Sequence, residues 1–481
     1  MFHNHFIVKG NMAACTALRV AARVKFLTDQ VAGKPIGDTA YPRAGYAWYV
    51  VVLLFGTYTL SYIDRYILSL LIEPIKATLQ LSDFQIGILL GPAFVLFFVV
   101  MGLPFGWLAD RKNRRVIITL AIIFWSILTA VCGLAKTFIT LLAARIGVGV
   151  GEAGLSPSSL SLICDYFPKE TRPRALAFWI SGNTIGAGAT YILGGQLVEM
   201  VRNMPPIILP VFGELLGWQT AFLAVGLPGI VVAIIFYLTV KEPTRQERSK
   251  TASGADADAP TIGEAFQYVK KHWQSYGAIY LCAIGISGIG SASFWSAALF
   301  ERTWGWGIGQ SGLAMGVALV AAGLIGANFG GWLAAWFIRR GMHNGPYITM
   351  FIGCAIAFPS FALFPLMPTP ELGVFMLFVL YLGMSINAGT IPSAIVAISP
   401  SELRGQATAL LWLFTNLLGA MFGPPMVGLI TDLFGDPSAL KYGMALTAVF
   451  YGLIMNVAMF WGYRHYRQSA ADLAELNEKR P

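Results

Sequence analysis

The chain has 481 residues, 56% of them hydrophobic and 12% charged, with a formal net charge of +9. An ordinary soluble domain is about 25% charged, and a soluble fold of this length could not bury so much apolar surface. The composition excludes a soluble globule and indicates an all-α protein that crosses a membrane many times. The positive balance then belongs to loops on one membrane face, and no nucleic-acid partner is expected.

Residues 1–46 are basic and hold no acid before Asp29. Lys9, Arg19, Arg23 and Lys25 break their apolar stretches, so the segment neither spans a bilayer nor reads as a cleavable signal. It lies on the membrane surface, is disordered, or reflects a start codon upstream of Met12. A spanning helix needs about 20 apolar residues. Six such runs follow, at 47–71, 84–108, 115–135, 138–164, 173–198 and 220–240, and form a first bundle over 47–240. The polar stretch 241–274 contains the linker-like run TASGADADAP. Six further runs, at 275–299, 311–337, 346–366, 371–397, 405–432 and 440–463, form a second bundle over 275–463, and 464–481 is a tail. The short alternating segments of a membrane β-barrel are absent.

With the N-terminus inside, 26 of the 33 basic residues fall on one face, five on the other, and two inside helices. This asymmetry predicts that both termini are cytoplasmic. No Asn-x-Ser/Thr acceptor occurs, which fits a bacterial inner membrane. Cys15, Cys132, Cys164, Cys282 and Cys354 have neither metal nor disulfide spacing and read as reduced, small apolar residues.

Four charges lie within predicted spans. Asp64 and Arg65 are adjacent in the first, in the run LSYIDRYIL. Arg145 and Glu152 lie seven residues apart in the fourth, hence on one helix face about 10 Å apart. Counted from the outer ends of their helices, Arg145 is about 10 Å deep, Arg65 about 12 Å, Asp64 about 13 Å and Glu152 about 20 Å. If the first and fourth spans are neighbours, all four can meet in one cavity. A charge at the bilayer centre costs roughly 2.5–3.5 kcal/mol on insertion scales, so the group is either a structural salt-bridge cluster or a working site. In the second reading Asp64 and Glu152 are proton carriers. Their proton affinity depends on burial and on nearby arginines, and both change when the cavity opens to the other side. Arg65 and Arg145 stay charged and can hold an anion. Tyr58, Tyr62, Asn183, Trp295, Asn387, Trp412 and Asn416 are candidate cavity-wall residues, each of which could equally serve helix packing.

The two halves repeat. GWLADRKNRR from Gly106 matches GWLAAWFIRR from Gly331, and GEAGLSPSS from Gly151 matches INAGTIPSA from Ile386, setting Glu152 opposite Asn387. SGNTIGAGATYILGGQLVE from Ser181 matches FTNLLGAMFGPPMVGLITD from Phe414. Parallel six-helix repeats are a transporter architecture, with the ligand between the halves near the bilayer midplane.

GWLADRKNRR also resembles the signature loop of the major facilitator superfamily, with Asn113 where a glycine is usual. YIDRY, that loop, RIGVGVGEAGLSPSSLSLICDYFP and RPRALAFW together resemble the Spinster family. The resemblance spans about residues 45–465. It implies alternating access and an amphiphilic anionic substrate, such as a lysophospholipid or a sphingoid phosphate, with proton coupling proposed for some members. It also implies that the loop residues Gly106, Asp110, Arg111, Arg114 and Arg115 latch the halves in the outward-open state; read without it, the loop is a solvated topology signal. The second copy has Ala335 in place of the acid. A superfamily member moving a soluble organic anion or a drug is the alternative. A lipid enzyme is disfavoured, because no histidine lies inside a span and there is no HExxH, P-loop or GxSxG. No ATP site or other cofactor is expected; the partners are the bilayer, protons and the substrate, and the protein is expected to be a monomer.

Overall fold

The computed structural model describes residues 41–202, 204–205, 207–209, 213–246, 262–400 and 402–478. The expectations for residues 1–40 and for the run TASGADADAP lie outside these. Eleven helical segments are long and apolar enough to cross a membrane. In chain order they are α1 (Ala44–Leu70), α2 (Asp83–Arg111), α3 (Arg114–Cys132), α4 (Phe138–Tyr166), α6 (Gly217–Thr239), α7 (Trp273–Trp304), α8 (Ile308–Arg339), α9 (Gly345–Leu366), α10 (Pro370–Ile398), α11 (Arg404–Phe434) and α12 (Pro437–Leu473). The twelfth passage, α5, runs over 172–202 as Arg172–Ala189, a π-helical stretch Thr190–Gly194, and Gly195–Arg202. Its middle, SGNTIGAGAT, is too polar to qualify as a lipid-facing helix alone, and it packs between α1 and α8.

Several spans are interrupted where the sequence disfavours a straight helix. α2 breaks at Gly91–Pro92, α4 between Glu152 and Leu155, and α7 at the 3₁₀ turn Ser293–Trp295. α11 holds a second π stretch, Thr415–Ala420. The stretch 464–478 of the expected tail is helical, because the helix that begins at Leu440 meets no glycine or proline breaker after 462 and continues to Glu478. A small antiparallel hairpin, β1 (Ile207–Leu209) with β2 (Gly213–Leu215), caps the loop before α6; three-residue strands are too short to signal themselves in the sequence.

The packing repeats with the chain. In the first half α1 packs on α5, α2 on α4 and α3 on α6; in the second, α7 packs on α11, α8 on α10 and α9 on α12. The halves meet through α2 against α11 and α5 against α8, contacts that interchange when the halves are exchanged. This is the geometry of a duplicated six-helix unit.

At the Asp83 end the halves are locked together. Arg302 on α7 donates from Nη1 and Nη2 to the two carboxylate oxygens of Asp83 at 3.0 and 2.8 Å, and from Nε to Glu73 at 2.8 Å. Lys76 adds a 2.6 Å bond to Asp83. Asp432 on α11 accepts from the free backbone N–H groups of Asp83 at 3.0 Å and Phe84 at 2.8 Å, placing a carboxylate at the positive end of the α2 dipole. Burial lifts the Glu73 carboxyl above its ordinary value, and Arg302 opposes that shift. Two glycines make the closure possible. A Cβ at Gly87 would lie 2.5 Å from Pro425 Cα, and one at Gly428 would overlap the Asp83 carbonyl oxygen. At the opposite end Gly102, Gly106 and Gly405 face open space.

Gly428→Ala is therefore expected to part this gate. A cysteine placed at Leu90, behind the gate, should react several-fold faster with an impermeant thiol reagent applied from the Asp83 face in the variant than in the parent; equal rates would show that the contact does not hold the gate.

Candidate functional site

The site is built on α1. Ser61 and Arg65 are four residues apart and share a helix face, and that face meets Glu152, the last residue of the first straight stretch of α4. Glu152 Oε2 accepts from Arg65 Nε at 2.6 Å and from Ser61 Oγ at 2.6 Å. One turn and more away along α4, Arg145 Nη1 donates to the main-chain oxygen of Asp64 at 3.2 Å. Asp64, Arg145 and Glu152 are each at most 1% exposed. Both carboxylate oxygens of Asp64, Oε1 of Glu152 and Nε of Arg145 make no hydrogen bond among the described residues. The cluster is thus one ion pair with four unsatisfied polar atoms, in surroundings where each such atom costs free energy.

α2 completes the enclosure. A Cβ at Gly149 would lie 2.6 Å from the Phe94 carbonyl oxygen, so glycine there lets α4 lie directly against α2. The Arg65 guanidinium carbon then sits 4.6 and 4.5 Å from the Phe94 and Phe98 ring centres and 4.9 Å from that of Tyr62. Three ring faces around one guanidinium supply cation–π attraction where water is scarce.

In front of the cluster, between the halves, lies a chamber of about 350 Å³ walled by Arg65, Arg145, Tyr62, Asn183, Phe294 and Asn416 among others. The expectation that all four charges open into one wet cavity needs correction. The two guanidiniums face the chamber, whereas Asp64 and Glu152 are not among its walls. The long arginine stems carry their heads forward; Glu152 is held behind them by Ser61 and Arg65. A second space of about 530 Å³, almost wholly apolar, runs between α2, α4 and α11, lined by residues including Leu103, Pro157, Leu410 and Trp412. Phe98 and Asn416 line both spaces, which therefore adjoin.

The remaining sequence candidates divide. Tyr58 stacks on Trp179 at 4.8 Å and meets Tyr62 edge-on at 5.1 Å, within the first half. Trp295 is buried and donates to the Pro424 carbonyl at 3.0 Å, tying α7 to α11; its neighbour Phe294 takes the chamber wall instead. Asn387, the repeat counterpart of Glu152, bonds back to Gly383 of its own helix at 3.0 Å and does not line the chamber. Asn416 bonds to the Trp412 carbonyl at 2.8 Å and keeps a chamber-facing position.

The loop residues separate in the same way. Asp110 and Arg111 are exposed, Arg111 lying 4.4 Å from the Trp107 ring centre. Arg114 is fully buried, bonded to Asp165, to Glu242 at 2.7 Å and to the Ser161 carbonyl at 3.0 Å. Arg115 donates its backbone N–H to Glu242 at 3.0 Å and covers the Tyr237 ring. These Arg114 and Arg115 contacts clamp α3, α4 and the exit of α6 within the first half. Sequence reasoning did not single out Ser61, Phe94 and Phe98, nor the gate residues Glu73, Lys76, Asp83, Arg302 and Asp432. The available signal for the gate was the few basic residues on an otherwise base-poor face, with acids close to Lys76.

The family model described as Major Facilitator Superfamily matches residues 54–424. This chain belongs to the major facilitator superfamily. It is 30% identical over 416 residues to an MFS-type efflux pump of Mycolicibacterium smegmatis, covering 85% of this chain and 90% of that one. It is 26% identical to the probable L-galactonate transporter of Escherichia coli, covering 79% and 82% of the two chains. Among solved structures it is similar to a bacterial homologue of the human lysosomal transporter Spinster in an inward-facing, unoccupied conformation. The TM-score is 0.74 and the identity 27%, over 89% of this chain and 98% of that one. The protein is an integral, multi-pass membrane transporter of the secondary type, not an enzyme.

Arg65→Met should lower the stability of the detergent-solubilised major facilitator by about 3–5 kcal/mol, since it strands Glu152 in a buried place. Adding Glu152→Gln should restore most of the loss. A thermal-unfolding double-mutant cycle checks this; additive losses would mean the pair is not coupled.

Proposed function

We propose that this protein is a proton-coupled carrier of an anionic amphiphile, working by alternating access in a bacterial inner membrane with both termini in the cytoplasm. One observation carries the reading: a chamber with two guanidiniums on its wall adjoins an almost wholly apolar space of about 530 Å³. A head group bearing phosphate or carboxylate suits Arg65 and Arg145, which remain charged at any working pH. An acyl or sphingoid tail suits the slot between Leu103 and Trp412. The likeness to the Spinster homologue agrees with the sequence resemblance to that family, which implies such an amphiphile.

The coupling follows from one pair. While Glu152 is ionised it holds Arg65. A proton on Glu152 removes the charge that Arg65 answers, leaving the guanidinium to take up the substrate anion. Departure of the anion exposes Arg65 again, and Glu152 loses its proton to restore the pair. Asp64, with no hydrogen bond of its own, is a second protonation site that balances Arg145. The locked end at Arg302, Asp83 and Glu73 corresponds to the outer face in this orientation, so the described state opens inward. Asp110 and Arg111, exposed here, are then free to engage the second half when the inner face closes.

A second reading, transport of a soluble organic anion, draws on the arginine-walled chamber alone and on the galactonate-transporter relative. Proteoliposomes separate the two. With lysophosphatidylglycerol as substrate, an imposed pH gradient should raise the transport rate, and Glu152→Gln should abolish that response while exchange at equal pH persists. Arg65→Ala should lower uptake at least tenfold, since a charge-assisted bond is worth about 1.5–3 kcal/mol. A gradient that still drives transport in the Asp64→Asn, Glu152→Gln double variant would overturn the coupling scheme. Transport of D-galactonate with no response to lysolipid would favour the second reading.

A further inference from the structure

Beside the arginine-walled chamber lies another space, of about 200 Å³, between α1, α5, α7, α8 and α10. Tyr66, Asn183, Gly290 and Met384 line both, so the two communicate. The second space has no charged wall. Its polar wall is neutral, and Ser293 on it is already bonded to the Gly290 carbonyl at 2.6 Å. Tyr381 is 5% exposed, and its hydroxyl stands beside Tyr191 and Ser293 without a well-formed hydrogen bond among the described residues. Asn183, Thr184 and Ser385 make no side-chain hydrogen bond within the described residues.

That pattern is unlike the neighbouring turns. Thr190 on α5 and Thr390 and Ser393 on α10 each bond to the carbonyl four residues back, the usual way a hydroxyl is satisfied inside a membrane helix. Thr184 and Ser385, on the same two helices, instead keep their donors and acceptors for the cavity. Hydrocarbon there would strand all four groups, so a lipid tail is excluded by the same desolvation that keeps it in the apolar slot. A carboxylate or phosphate would find no cation. What the wall matches is a neutral group rich in hydroxyls, which both donates and accepts.

We propose that the space walled by Asn183, Thr184, Tyr381 and Ser385 is a hydroxyl-recognition subsite. It receives the polyol part of a substrate whose anionic group rests on Arg65 and Arg145. The inference rests on the substrate reading above and sharpens it: the head group carries hydroxyls beyond the charged group. A glycerol unit is of a size to fit the space, where a single water would leave most of the wall unpaired.

Binding to the full-length purified protein tests this with three probes: lauroyl lysophosphatidylglycerol, dodecyl phosphate, which has a similar tail and at least as much negative charge but no carbon-borne hydroxyl, and D-galactonate, a polyol anion without a tail. The parent should bind lysophosphatidylglycerol at least tenfold more tightly than dodecyl phosphate. Thr184→Val with Ser385→Ala should erase that preference, weakening lysophosphatidylglycerol about tenfold and dodecyl phosphate less than twofold. Tyr381→Phe, which removes a single oxygen, should act in the same sense by about threefold, and stands in if the double variant does not fold. Equal losses for both lipids, or no preference in the parent, overturn the subsite while leaving the amphiphile reading intact. If only D-galactonate binds and the variants weaken it, the subsite stands and the amphiphile reading falls. Binding of none of the three overturns both.

Discussion

The cost of charge inside a membrane governs this structure. Arg65, Arg145, Asp64 and Glu152 are balanced two against two, yet only Arg65 and Glu152 pair through their side chains. Arg145 makes its hydrogen bond to the main-chain oxygen of Asp64, and the Asp64 carboxylate makes none among the described residues. A set chosen for stability would satisfy every edge, or be replaced by apolar residues of the same volume. Here the surrounding packing holds an incompletely satisfied set in place: Gly149 brings α4 against α2, and three aromatic rings enclose Arg65. Under the proposed function, such an arrangement leaves Arg65 able to exchange one partner for another, which a carrier needs and a scaffold does not.

The inter-half contacts serve the same end. α2 against α11 and α5 against α8 are formally equivalent in the repeat, so closing one face and closing the other draw on related surfaces. The gate at Asp83 uses charge where the helices end near water and bare backbone where they cross, at Gly87 and Gly428. Charged gates of this kind separate at low cost when solvent enters, because the released groups regain hydration. A gate of interlocked large apolar side chains would lack that compensation.

Much of this was legible in the sequence, and the boundary of what was legible is physical. The spans follow from composition, because a membrane imposes one length and one hydropathy on every crossing. α5 shows the limit of that rule: its Gly-rich polar middle marks a helix shielded by α1 and α8, and it was recognised as a span while failing the apolar criterion. Depth counting along α1 and α4 set Asp64 between Arg145 and Glu152 and brought all four charges into one region, because helix rise is constant. It could not foresee that the acids lie behind the bases, since that depends on which way long side chains extend. The repeat made Asn387 look like a counterpart of Glu152, yet Asn387 closes a bond on its own helix; sequence symmetry carries backbone position, not side-chain partnership. Gate residues from three separate stretches, Glu73 to Asp83, Arg302 and Asp432, meet only through the inter-half packing that no local pattern encodes.

In the proposed cycle the layering of the chamber gives the bases and the acids different work. Arg65 and Arg145 face the chamber, and Glu152 lies behind Arg65. On that reading a proton arriving at Glu152 and an anion arriving at Arg65 act on the same guanidinium from opposite sides. Each weakens the hold of the other's competitor, and neither has to touch the other. Coupling of this form needs no conformational relay between distant sites; it is an exchange of partners at one cation, with a free energy bounded by the strength of one buried ion pair. The adjoining apolar slot and the neutral polar space then decide which anion is worth the exchange, because they add affinity to the ligand without changing the proton's side of the balance.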